Sequence, residues 1–372
     1  MKSIFGRLFR SATRLSRVRR LTRASKALTR MFAGVVAAIP LPKPAVEPRV
    51  EPPPRQPAPG DDRGRFDEGT WSDGSHSLAY KLYSPPGKVD RHHHPLPLVV
   101  MLHGCKQDPD NFARGTGMNG RAREQGFFVL YPAQSKAANP LRCWNWFKRG
   151  NQRRGGEAAM IAGLTQTVIG QHAIDPRRVY VAGLSAGGAM AAIVGSSYPE
   201  IYAAIGVHSG LALGAAGSAM EALSVMKHGK KPSRPRTPPL QSVAMRVDAV
   251  RPPMPVPTIV FQGDADTTVH PSNAEQVIAV VLDGAARAGD APGAAADEPR
   301  VEQGASAGGQ KYTRSMHVDD QGKPLVEYWL IHGAGHAWSG GDASGSFTDG
   351  EGPDATGEML RFFFEQPARV VA

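Results

Sequence analysis

Six short, unbroken apolar runs, each closed by turn residues, limit the fold more than any single motif. They are LPLVVMLHG (96–104), FFVLYPA (127–133), RVYVAG (178–183), AAIGVHSG (203–210), PTIVFQGDAD (257–266) and EYWLIHGAG (327–335). A strand covered on both faces reads as a continuous hydrophobic run, whereas a half-solvated strand alternates. Helix-like stretches such as 157–172 and 189–197 lie between the runs. The alternation predicts an α/β fold, a mostly parallel central sheet with helices on both faces. Two segments interrupt it. Residues 213–256 carry Met220, Met226, Met245 and Met254 among prolines and basic residues, and residues 284–310 are rich in glycine and alanine. Both are expected to be surface insertions, the first either a lid or a tolerated loop.

A chain of 372 residues with a net charge of +11 raises the question of a polyanionic partner. Ten lysines and arginines, with no acid, fall within residues 1–30, so the remainder is nearly neutral and needs no nucleic acid for its chemistry. Ile4, Phe5, Leu8, Phe9, Ala12, Leu15 and Val18 share one helical face, opposite Arg7, Arg10, Arg14 and Arg17, until the pattern breaks at Arg19. Three readings stay open: a basic amphipathic segment for an anionic membrane or polymer-granule surface, an irregular export signal, or neither. The apolar run from Met31 is cut at Pro40, too short to span a membrane. The expected layout is a basic segment (1–39), a proline-rich linker (40–62) and one catalytic domain (63–368).

VYVAGLSAGGAM (179–190) carries the chemistry. A β-branched strand runs through Gly183-Leu184-Ser185-Ala186-Gly187 into an alanine-rich helix, the nucleophile-elbow pattern in its required strand–turn–helix context. The turn is strained, so the residues two places either side of the serine must lack bulk. In this architecture an acid and then a histidine follow the nucleophile in chain order. Asp266 is the expected acid because it sits beyond its strand, whereas Asp264 is placed to cap the turn. His336, freed by Gly333 and Gly335, is the expected base. His332 is still within its strand, and His270 lies too close to the acid. The oxyanion of an acyl-transfer intermediate would be held by the N–H groups of Ala186 and of Cys105 in the loop after the first run. The run His92-His93-His94 offers no metal site, since adjacent side chains diverge and no acid or cysteine completes a set. The triad chemistry requires no cofactor.

Six blocks in register resemble the polyhydroxybutyrate depolymerase family of esterases, kin of feruloyl and acetylxylan esterases in the α/β-hydrolase superfamily. They are LHGCKQDPDNFARGTGMN, ANPLRCWNWF, DPRRVYVAGLSAGGAMAAIVGSSYPEIYAAIGVHSG, GDADTTVHP, GAGHAWSGG and GSFTDGEGPDATGEMLRFF, spanning about 78–364. The resemblance implies an α/β-hydrolase fold and a Ser185–Asp266–His336 triad. The implied substrate is a hydroxyalkanoate polymer or its oligomers, or feruloyl and acetyl esters of polysaccharide, and the implied setting is extracellular or periplasmic. The two insertions depart from the family and leave substrate size open. No separate polymer-binding domain follows Phe364, so strong adsorption to solid polymer is not expected. The pattern also implies a Cys105–Cys143 disulfide, the one pairing two cysteines allow, with two free buried thiols as the alternative. Trp144, Trp146 and Trp338 are candidates for the substrate pocket, with core packing the competing role.

Overall fold

The computed structural model describes residues 63–87, 95–229, 255–288 and 298–369. The basic segment, the whole proline-rich linker, His92–His94 and the middle of the first insertion lie outside the described residues.

All six apolar runs are strands of one ten-stranded sheet. They form β3 (Leu96–Leu102), β4 (Phe128–Ala133), β5 (Ile174–Leu184), β6 (Ala204–His208), β7 (Thr258–Gly263) and β10 (Pro324–Ile331). These six lie side by side and parallel, in the order β4-β3-β5-β6-β7-β10. Antiparallel strands extend both edges. On one side are β2 (Ser77–Ser84) and β1 (Arg65–Ser72), on the other β9 (Lys311–Val318) and β8 (Arg300–Ala305). The edge strands are partly solvated, as antiparallel edges can be when one face meets water.

Side chains of the central strands alternate between two apolar layers. Val100, Leu102, Val179 and Val181 enter one layer, while Val99, Met101, Tyr180 and Ala182 enter the other. The first layer is closed by α3 (Gly156–Gln171), α4 (Ala186–Ser197), α5 (Ala219–His228) and α6 (Ser272–Ala288). The second is closed by α1 (Pro109–Thr116), α2 (Met118–Gln125) and α7 (Ala355–Glu365). Helices therefore cover both faces of a mostly parallel sheet.

The two expected insertions are partly regular structure. Residues 219–228 form α5, and its Ala222 and Val225 are buried in the first layer. Residues 284–288 finish α6, and residues 300–305 form edge strand β8. Two short strands, β11 (Trp338–Ser339) and β12 (Thr348–Asp349), pair beyond β10.

Candidate active site

The turn from β5 into α4 is built by close backbone approach. Ser185 has φ 59° and ψ −119°, a conformation that side-chain-bearing residues rarely adopt and that stores about 1–3 kcal/mol of strain. Its neighbours leave no room for a Cβ. One added at Gly187 would stand 1.9 Å from the Leu102 carbonyl oxygen, and one at Gly183 would stand 2.4 Å from the Gly187 carbonyl carbon. The turn is fixed from the side as well, since the Ser185 N–H donates to the His208 carbonyl at 2.9 Å. The Ser185 hydroxyl stands at the N-terminus of α4 and has no hydrogen-bond partner among the described residues.

Asp266 and His336 meet because two turns pack main chain to main chain. The Asp264 N–H donates to the Ile331 carbonyl and the Ala265 N–H to the Ala334 carbonyl, both at 3.1 Å. A Cβ on Gly263 would lie 2.2 Å from the Ala334 oxygen, so only glycine permits this contact. Across it, His336 Nδ1 donates to Asp266 Oδ2 at 2.7 Å, with both side chains almost wholly buried. The remaining Asp266 acceptor positions are filled too. Oδ1 accepts the Thr268 and Val269 N–H groups at 2.8 Å, and Oδ2 also accepts Gln262 Nε2 at 3.1 Å. Burial works to raise the Asp266 carboxyl, but the facing His336 and the hydrogen bonds from His336, Val269 and Thr268 outweigh it, and the group stays below its ordinary range. The carboxylate fixes the His336 tautomer with the proton on Nδ1 and leaves Nε2 as an acceptor.

The rejected candidates pair with each other. Asp264 Oδ2 meets His332 Nδ1 at 2.9 Å, Asp264 Oδ1 accepts the Gly333 N–H at 2.6 Å, and His332 Nε2 meets Thr313 Oγ1 at 2.9 Å. His270 is engaged with Ser272 Oγ at 2.9 Å.

The loop carrying Cys105 is tied down at four points. Cys105 is bridged to Cys143. The Lys106 N–H donates to the Leu141 carbonyl at 2.7 Å, and the Gly104 N–H to Gln107 Oε1 at 2.8 Å. Gln107 Nε2 reaches across to the Ser346 carbonyl at 2.8 Å. Buried His103 braces the loop from below, donating from Nδ1 to the Gly104 carbonyl at 2.8 Å and accepting the Gln134 N–H on Nε2 at 3.2 Å. Burial lowers the His103 pKa to about 4, so the ring stays neutral. Ala186, the other expected oxyanion donor, is the first residue of α4, where N–H groups lack intrahelical acceptors.

Sequence reasoning passed over His208, which links the two halves of the site. Its carbonyl holds Ser185, and its ring accepts the Ser339 N–H on Nε2 at 3.0 Å, in the segment that follows His336. The ring stacks on Phe261 and Trp338. Burial, with a smaller contribution from His336, lowers its pKa to about 3. Its one sequence signal is a histidine at the end of an apolar strand.

The structure places all three candidate pocket tryptophans in the hydrophobic layers. Trp144 is 0%, Trp146 3% and Trp338 1% exposed. Trp338 packs edge-on against Phe112 and donates to Thr356 Oγ1, and Trp146 packs edge-on against Phe147. Trp144 lies against His103 and also borders a groove of about 910 Å³ shared with Gln134, Arg142 and Glu157. Among the described residues no group of three or more His, Cys, Asp or Glu side chains is arranged to hold a metal ion. Among them, too, no helix is long and apolar enough to cross a membrane.

A mostly parallel sheet with helices on both faces, and a serine at its central strand-to-helix turn, define an α/β-hydrolase fold. Acetyl xylan esterase from Aspergillus awamori shares it with a TM-score of 0.59 at 19% identity, over 81% of this chain and all of that one. Residues 78–303 match the family described as Esterase PHB depolymerase, and the chain belongs to that family. The matched span contains Ser185 and Asp266 and ends before His336. Poly(3-hydroxyalkanoate) depolymerase C of Paucimonas lemoignei is 31% identical over 242 residues, 64% of this chain and 54% of that protein. Feruloyl esterase B of Thermothelomyces thermophilus is 32% identical over 128 residues, 34% of this chain and 43% of that protein. The chain thus spans about half the length of the curated relatives it matches.

Proposed function

We propose that this protein is a carboxylic ester hydrolase that works through a covalent acyl-enzyme on Ser185, with His336 as general base and Asp266 as its orienting acid. The observation that carries the reading is the buried 2.7 Å hydrogen bond between His336 Nδ1 and Asp266 Oδ2, which leaves Nε2 as the free acceptor. As substrate docks, Nε2 takes the hydroxyl proton while Oγ attacks the ester carbonyl. The Cys105 and Ala186 N–H groups receive the oxyanion. Collapse breaks the ester C–O bond, and His336 returns the proton to the leaving alcohol. Water, deprotonated in turn by His336, then releases the acid.

The preferred substrate is a poly(3-hydroxybutyrate) chain or a short hydroxyalkanoate oligomer, supported by family membership and by likeness to a poly(3-hydroxyalkanoate) depolymerase. A second reading, feruloyl or acetyl esters of polysaccharide, is supported by likeness to feruloyl esterase B. The Cys105–Cys143 bridge favours an extracellular or periplasmic setting. The basic segment 1–30 is proposed to contact an anionic membrane or polymer-granule surface, and its deletion should abolish sedimentation with anionic vesicles or granules.

The test is hydrolysis of a short-chain p-nitrophenyl ester by the wild type and by Ser185→Ala. Loss of at least ~10³-fold in kcat supports the assignment, and equal activity rejects it. Polymer film, hydroxybutyrate oligomers and methyl ferulate assayed side by side separate the two substrate readings.

A further inference from the structure

Gln262 is a polar side chain in the middle of an apolar strand. β7 reads Thr258–Gly263, every residue of it is buried, and Gln262 is 0% exposed. Its Nε2 lies among three acceptors: Asp266 Oδ2 at 3.1 Å, the Gly263 carbonyl at 3.2 Å and the Val269 carbonyl at 3.2 Å. Its Oε1 has no partner among the described residues. The orientation of the amide is dictated by chemistry, since flipping it would set an oxygen against three acceptors, one of them a carboxylate. A buried acceptor without a donor destabilises the fold, and an apolar side chain of the same shape would carry no such cost. The two carbonyls are ordinary backbone acceptors, and that of Gly263 also receives the Asp266 N–H. The distinctive partner is the oxygen of Asp266 that also receives His336 Nδ1.

We propose that Gln262 is a positioning residue for the Asp266–His336 pair. Its amide gives Oδ2 a second donor beside the imidazole and takes up part of the carboxylate charge. This inference rests on the triad proposed above. With the donor present, Asp266 has two N–H partners on each oxygen, counting His336, and cannot swing about its Cβ–Cγ bond. Without it, Oδ2 is held by His336 alone. The carboxylate becomes more basic and grips the imidazolium harder, so the base loses its proton only at higher pH. The charged and titratable groups around the pair are His208, kept neutral by burial, and the Asp264–His332 pair on the adjoining turns.

Gln262→Met keeps the volume and removes both the donor and the stranded acceptor. The expected result is a melting temperature close to that of the wild type, since losing the stranded acceptor offsets losing the donor to the Val269 carbonyl, with kcat lowered by ~10-fold, KM within ~2-fold, and an acidic limb of kcat/KM displaced upward by about half a pH unit or more. Gln262→Glu, which sets an acceptor against Asp266, should lower kcat further. A side chain that merely fills the strand would leave the acidic limb in place. An unmoved limb in Gln262→Met overturns the proposal whatever happens to melting temperature, and a moved limb supports it. Ser185→Ala assayed alongside keeps the two readings apart. Full activity in that variant rejects the triad itself, whereas an inactive Ser185→Ala with a wild-type-like Gln262→Met rejects the positioning role alone.

Discussion

Replacing both Cys105 and Cys143 with alanine tests how far the proposed oxyanion loop depends on its covalent tie. The bridge closes a loop with a sequence separation of 38. The loop-closure entropy for that length gives about 4 kcal/mol of stabilisation at ~25 °C, the value expected to be lost when the tie is removed. That is a large share of the 5–15 kcal/mol typical of a folded domain. The folded loop nevertheless keeps the Lys106–Leu141 and Gln107–Ser346 hydrogen bonds and the His103 brace, so it should still form. Its freedom should show at the Cys105 N–H. Losing an oxyanion donor outright costs about 10²–10³ in kcat, and a loosened donor should cost less, about 10-fold. Urea unfolding followed by tryptophan fluorescence measures the first effect, and p-nitrophenyl ester hydrolysis the second. A stability loss below about 1 kcal/mol would refute the loop-entropy account, and a kcat as low as that of Ser185→Ala would refute the redundancy of the anchors.

Three further outcomes are expected. Glu327 is wholly buried and receives Arg314 through two 3.1 Å contacts, Arg361, and Trp329 Nε1 at 2.7 Å. Glu327→Gln should therefore cost about 3 kcal/mol in urea unfolding and leave kcat per folded molecule unchanged. Gly187→Ala places a methyl 1.9 Å from the Leu102 oxygen, so the elbow must shift, and kcat/KM should fall ~100-fold or more. Burial holds the His103 and His208 imidazoles below their ordinary value of 6.5, at about 4 and about 3. Because the unfolded chain takes up these protons first, stability should fall as pH drops from 6.5 towards 4. The loss is about 2 kcal/mol per histidine by pH ~5, and a flat stability between pH ~7 and ~5 would contradict the buried neutral assignment.

The parallel core of the fold was legible because burial on both faces writes itself as an unbroken apolar run. β1, β2, β8 and β9 left no such mark. RFDEGTWS and RVEQGA are partly solvated edges whose mixed polarity resembles loop, and the second fell inside a segment expected to be an insertion. The choice of Asp266 over Asp264 followed from its place beyond the strand, and the structure pairs Asp266 with His336 and Asp264 with His332. Gln262 and His208 were not legible as site residues. A polar residue within an apolar strand signals that it must find partners, but the sequence does not say which loop supplies them. The tryptophans were ambiguous in the opposite way, since an aromatic beside a site-bearing loop reads equally as lining or as packing until its neighbours are known.

The main-chain contact between the Gly263 turn and Ala334 has a consequence for how such a protein can change. Because the two turns are registered through peptide groups, the spacing of Asp266 and His336 does not depend on the side chains at 265 or 335. Substitution there is absorbed, but adding or deleting one residue between Ile331 and His336 would rotate the imidazole away from its carboxylate. A change of length is expected to be tolerated only outside that register. The site therefore accepts new letters more readily than new lengths.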